Sequence, residues 1–180
     1  VLNLIGNYSL ILALITSLVL LFFSFKNFKS NSNFDFSIFA TISIQFLLIC
    51  ISFISLLLAF IISDFSNLAV YNNSHTTKPL FYKISGTWGN HEGSLLLWLN
   101  VLVIFSYLFL VFNLKSNKKY ILYTIIFQNF IILFFSLFLF FGSNPFSIIS
   151  PKPLEGLGLN PILQDPALAI HPPLLYIGFV

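Results

Sequence analysis

Four runs, at about residues 4–25, 37–63, 94–112 and 120–141, contain no Asp, Glu, Lys, Arg or His. Each is long enough for a helix to cross a hydrocarbon layer of about 30 Å. In lipid nothing outside the segment satisfies a free backbone amide, so each run must close its hydrogen bonds internally, as a helix does. A fifth run starts at about residue 174. The expected fold is therefore all-α, a polytopic transmembrane helical bundle with four complete spans and the start of a fifth. It is read as one membrane domain over residues 1–180, with two long loops at 64–93 and 142–173. The first run is too long, and lacks a small-residue cleavage site, to be a removable signal peptide.

Composition agrees. Only 7% of the residues are charged, against about a quarter in a water-soluble domain, and 58% are hydrophobic. A net charge of +3 with no basic stripe does not suit nucleic acid as a partner. The cationic side chains are all Lys, and Phe reaches 24 residues. That bias suits an AT-rich genome, which points to an organelle or a reduced bacterium. The chain opens without Met and closes inside an apolar run, and it is expected to be a piece of a longer protein. The single cysteine, Cys50, rules out an intramolecular disulfide or a cysteine metal cluster and reads as a helix- or lipid-facing residue.

Five of the eight lysines sit in the short connections "KNFKSNSNFD" and "NLKSNKK". Lysine excess marks the inner side, which places the N-terminus and both long loops outside. The spans lack the titratable groups that ion pumps keep at membrane depth, so the chemistry is expected on the outer loops.

Two outer stretches stand out. "GTWGNHEGSLLLW" (86–98) leads into the third span, with Trp88 and Trp98 suited to the headgroup boundary. Glu92 there is placed to meet the helix dipole or cap free N–H groups, and His91 reads either as part of a helix entrance or as part of a polar site. No second ligand pair at fixed spacing supports zinc. His75, in "NNSHTTKP", reads as a solvated loop residue. "GSNPF" offers Gly142 as a helix end and Pro145 as a stop. Asp165-Pro166 reads as a helix start, giving a short surface helix over "PALAI". Pro172 is expected to push His171 toward extended backbone, and Pro173 to open the next span. His171 is then either a structural residue bonded to a carbonyl or a metal ligand whose second nitrogen needs an acceptor.

"TWGNHEGSLLLW" (87–98), "SNPF" (143–146) and "LNPILQDPALAIHPPLLYIGFV" (159–180) resemble the N-terminal part of the CcmF family, the membrane component of cytochrome c haem lyase. The resemblance covers essentially the whole chain. Ala167 stands where the family often has Gly, and Phe179 where it often has Tyr. The resemblance implies that His171 is an axial ligand to the iron of the haem being attached, and that Trp88 and His91 are haem-neighbouring or structural. It implies thioether formation between haem vinyl groups and the cysteines of a CxxCH motif. The implied partners are the remaining CcmF portion or fragments, a CcmH-type apocytochrome-binding subunit, the haem chaperone CcmE and apocytochrome c. The family's tryptophan-rich segment, its second haem-holding histidine and the ligands of its own b-type haem are not in these residues, so this piece alone is expected to be inactive. The membrane is expected to be the mitochondrial inner membrane, or a bacterial inner membrane, with the long loops in the intermembrane space or periplasm. The competing reading is a non-catalytic structural or ion-translocating subunit of a respiratory complex.

Overall fold

The computed structural model describes residues 1–29 and 36–180, so part of the first lysine-bearing connection, residues 30–35, lies outside the described residues. Seven α-helices are described, α1 (Leu2–Lys29), α2 (Phe36–Ile61), α3 (Leu68–Asn73), α4 (Leu80–Gly86), α5 (His91–Asn113), α6 (Lys118–Gly142) and α7 (Pro166–Phe179), with a single 3₁₀ turn at Pro161–Gln164. Four of them, α1, α2, α5 and α6, are long and apolar enough to cross a membrane. The all-helical bundle anticipated from the apolar runs is the fold observed.

The four long helices form a ring, α1 against α2 and α6, and α5 against the same two. Their shared interior divides into two apolar clusters. One, toward the end carrying the long loops, includes Leu10, Ala13, Ile49, Leu56, Leu99, Val103 and Ile132. The other, toward the opposite end, includes Leu20, Ile42, Leu110, Leu122 and Ile125. Between them lies a polar layer. Gln45 Nε2 donates to Ser17 Oγ at 2.6 Å and to Asn129 Oδ1 at 3.0 Å, while Asn129 Nδ2 donates to the Ser17 carbonyl at 2.8 Å. All three residues are buried, and the bonds tie α1, α2 and α6 at one level. In an apolar surround an unpaired amide is costly, so a closed set of neutral amides fixes which faces meet without adding charge.

The two long loops form one layer over the N-terminal end of α1. Asn67, fully buried, caps α3 by accepting from the Val70 amide at 3.1 Å, and its own amide donates to Asn3 Oδ1 at 2.7 Å and to the Pro145 carbonyl at 2.9 Å. The Leu68 amide donates to the Ser147 carbonyl and the Ile149 amide to the Ser66 carbonyl, both at 2.9 Å. Lys152 reaches Asp64 at 3.1 Å. Phe146 enters the bundle against Gly6, where a Cβ would come within 2.1 Å of the ring. A side chain at position 6 would unseat that ring, which explains glycine inside an apolar helix.

Candidate functional site

The stretch between α4 and α5 is shaped by its own polar residues. Asn90 caps α5, accepting from the Gly93 amide at 2.7 Å and donating to the Gly86 carbonyl at 2.8 Å. Glu92 lies in the first turn, where a carboxylate suits the positive helix end, but the cap is Asn90. Gly93 is required by close approach, since a Cβ there would lie 1.7 Å from the Thr87 carbonyl oxygen. This tight corner aims Trp88 away from α5 and toward α7.

The second stretch corrects an expectation. Asp165 caps a helix and Pro166 occupies its first turn, as read from the sequence, with Asp165 accepting from the Ala167 and Leu168 amides. The helix does not stop before the prolines, however. Pro172 and Pro173 lie inside α7, which continues to Phe179, so His171 is helical rather than extended and the helix that carries the fifth apolar run begins at Pro166. A proline in a helix interior removes one i→i−4 hydrogen bond, leaving a carbonyl to be satisfied from elsewhere. Pro173 leaves the Ala169 carbonyl in that position. The Trp88 indole donates to that oxygen from Nε1 at 2.8 Å.

A second tie lies deeper. Trp98 of α5 stacks on Tyr176 of α7, with ring centroids 5.6 Å apart and planes 8° from parallel, and also meets Phe135 edge-on and Phe179 at a tilt. Helix α7 therefore descends beside α5, pinned at its top by Trp88 and further down by Trp98. Its Ala169, Pro172 and Tyr176 face the bundle. On its other side His171, Leu174, Leu175 and Gly178 are exposed, and no atom lies within 4 Å of where a Gly178 Cβ would sit.

Of the three residues singled out from the sequence, Trp88 and His91 come together. Both line a cavity of about 270 Å³ whose far wall is Leu168, Ala169, Pro172 and Tyr176. His91 is exposed at the start of α5 and meets the Phe138 ring edge-on at 6.4 Å. His171 is not among the lining residues and sits on the open side of α7. His75 lies elsewhere, with Nδ1 2.9 Å from Thr77 Oγ1 and 3.9 Å from Glu155. Glu155 accepts from the Thr76 hydroxyl and amide, and these bonds hold its carboxyl below the usual range. Among the described residues no group of three or more His, Cys, Asp or Glu is placed to hold a metal ion. A metal at His171 would therefore have to bring its other ligands with it, as a metalloporphyrin does with its four ring nitrogens. The exposed His171 side chain could offer such a group one imidazole nitrogen. The Trp88–Ala169 bond was invisible in the sequence, since its partners are 81 positions apart.

The family model described as Cytochrome C assembly protein matches residues 88–180. The cytochrome c-type biogenesis protein CycK of Rhizobium meliloti is 44% identical over 179 residues, covering 98% of this chain and 26% of the relative. CcmF of Haemophilus influenzae is 37% identical over 185 residues, covering 98% of this chain and 28% of the relative. A solved cytochrome c haem lyase CcmF superposes with a TM-score of 0.82 at 25% identity, over 99% of this chain and 28% of that one. The chain thus spans roughly a quarter of the length of these relatives.

Proposed function

The chain belongs to the Cytochrome C assembly protein family, as a CcmF-type membrane component, and on that premise we propose that it is the haem-presenting portion of a cytochrome c haem lyase. In this reading His171 gives one axial bond to the iron of substrate haem at the outer face of the membrane. The observation that carries it is the placement of His171 on the open side of α7, within the family-matched stretch and on a helix pinned twice to its neighbours. Haem supplies the iron and the vinyl groups; each thiol of a CxxCH motif adds its S–H across a vinyl double bond to give a thioether. The chain's share is positional. An imidazole on a fixed helix sets the height and tilt of the ring, and holding reactants in place contributes several kcal/mol through effective concentration. Trp88 bonds α7 from its other side, across a cavity that His91 also lines.

The remaining CcmF portion, a CcmH-type subunit, the chaperone CcmE and apocytochrome c are the proposed partners. The lysine asymmetry supports outward-facing loops, and the AT-rich composition supports a mitochondrial inner membrane, with a bacterial inner membrane as the other location. The neutral mid-bundle layer of Ser17, Gln45 and Asn129 offers no titrating group for ion translocation. The test is His171→Ala in the intact membrane assembly, followed by the absorption spectrum of captured haem and the yield of matured cytochrome c. Loss of both is expected. Normal capture and maturation would overturn the reading.

A further inference from the structure

We infer that Trp88 is a positioning residue for His171, acting through the backbone of α7. Two adjacent prolines in a helix interior should break or kink it, because each removes a donor and each ring crowds the carbonyl four residues back. Yet α7 runs unbroken from Pro166 to Phe179. The Ala169 carbonyl, which Pro173 cannot serve, accepts from the Trp88 indole at 2.8 Å. Ala169 is almost fully buried, so water is a poor substitute for that donor. An indole nitrogen only donates, and it has one hydrogen to give. The bond anchors the turn of α7 that carries His171 to the corner between α4 and α5. That corner is itself held by Asn90 and by the close packing of Gly93 on Thr87. The height and rotation of the imidazole are thus set by a residue on the opposite side of the helix, one that lines the cavity against the bundle. This role rests on the haem-ligand reading of His171 proposed above.

The experiment is a two-by-two cycle in the intact assembly. Trp88→Phe keeps an aromatic ring and deletes the donor. Pro173→Ala returns an N–H to position 173, so the Ala169 carbonyl gains an intrahelical partner and the indole becomes redundant. Two readouts are taken: amide exchange over residues 174–178, and the affinity and absorption spectrum of haem bound through His171. Trp88→Phe alone should weaken haem binding about tenfold and speed exchange similarly, the consequence of one buried carbonyl left without a donor. In the Pro173→Ala background the same substitution should change either readout less than about twofold. Equal losses in both backgrounds would reduce Trp88 to a packing residue and overturn the inference. Faster exchange with haem affinity and spectrum unchanged would overturn it too, as would no effect of Trp88→Phe in either readout. A His171→Ala control separates the two claims. If it leaves haem binding intact, the ligand reading fails and the positioning role falls with it. If it abolishes binding while the cycle shows no coupling, only the positioning role fails.

Discussion

Replacing Gln45 by Leu removes the hub of the mid-bundle polar layer while nearly preserving side-chain volume. Two hydrogen bonds disappear, at 2.6 and 3.0 Å, and Asn129 Oδ1 loses the donor shown here. Ser17 Oγ retains its own bond to the Ala13 carbonyl at 3.0 Å. Interhelical hydrogen bonds in membrane bundles average about 0.6 kcal/mol and reach about 1.7, so losing two costs about 1–3 kcal/mol. In a water-soluble core the added apolar surface would return part of that loss. Here it does not, because the separated helices would place Leu in lipid that is equally apolar. Unfolding free energies measured by steric trapping or detergent titration in bicelles are the assay. The cycle of Gln45→Leu and Asn129→Leu should show a coupling of about 0.6 kcal/mol, a factor of about three, for the one bond they share. A Gln45→Leu variant as stable as the parent, or strictly additive single variants, would refute the claim that these amides fix the packing of α1, α2 and α6.

Two further predictions concern the outer layer. Burial raises the Asp64 carboxyl, but bonds from the Ser66 hydroxyl and amide and the Lys152 ammonium outweigh it, so its pKa lies below the ordinary carboxylate value. A depressed folded-state pKa stabilises above the unfolded value and loses that contribution as pH falls through the folded one. The difference in thermal midpoint between the parent and Asp64→Asn should therefore be present near neutral pH and shrink as pH falls below about 4, and a difference that grows on acidification would be the wrong sign. For orientation, Leu154→Cys and Ser116→Cys, each made with Cys50→Ser, report on opposite ends of the bundle. Leu154 is 99% exposed and Ser116 is exposed, so a membrane-impermeant thiol reagent should label the first from outside and not the second.

The long helices were legible because length and freedom from charge are sufficient signals in a bilayer. Helix ends were legible where one residue carries the physics, as Asp165 does; α6 does end at Gly142, but its C-cap is Ser143 and Gly142 takes no positive φ. Misreadings arose where the deciding partner is remote or the element is short. Helices α3 and α4 have only six and seven residues, too few for a periodic signal, and α3 begins on a cap, Asn67, whose amide is held by Asn3 and Pro145. The steric rule that residues before proline avoid helix predicted an extended His171, and the fold overrides that preference. The Trp88 indole supplies one missing bond, and Trp98 stacking on Tyr176 holds the turn below. Searching the spans for charges found none and so passed over Gln45 and Asn129, whose neutral amides do the pairing.

These particulars point to a division of labour within the chain. The ring of α1, α2, α5 and α6 ties Gln45 and Asn129 to Ser17 at mid-depth and closes its outer end with Asn67 and Phe146. Helix α7 stands outside that ring and packs on α4 and α5. A recognition group works best on an element too rigid to need ordering when its ligand arrives, because each side chain immobilised on binding costs about 0.5–1.5 kcal/mol. Double proline stiffens α7 but also strips it of two internal hydrogen bonds, and the indole returns one of them at the turn bearing His171. The same two prolines that should have ended the helix thus make its stability depend on contact with the bundle. That dependence ties the imidazole to the ring of four helices, as the role proposed for His171 would require.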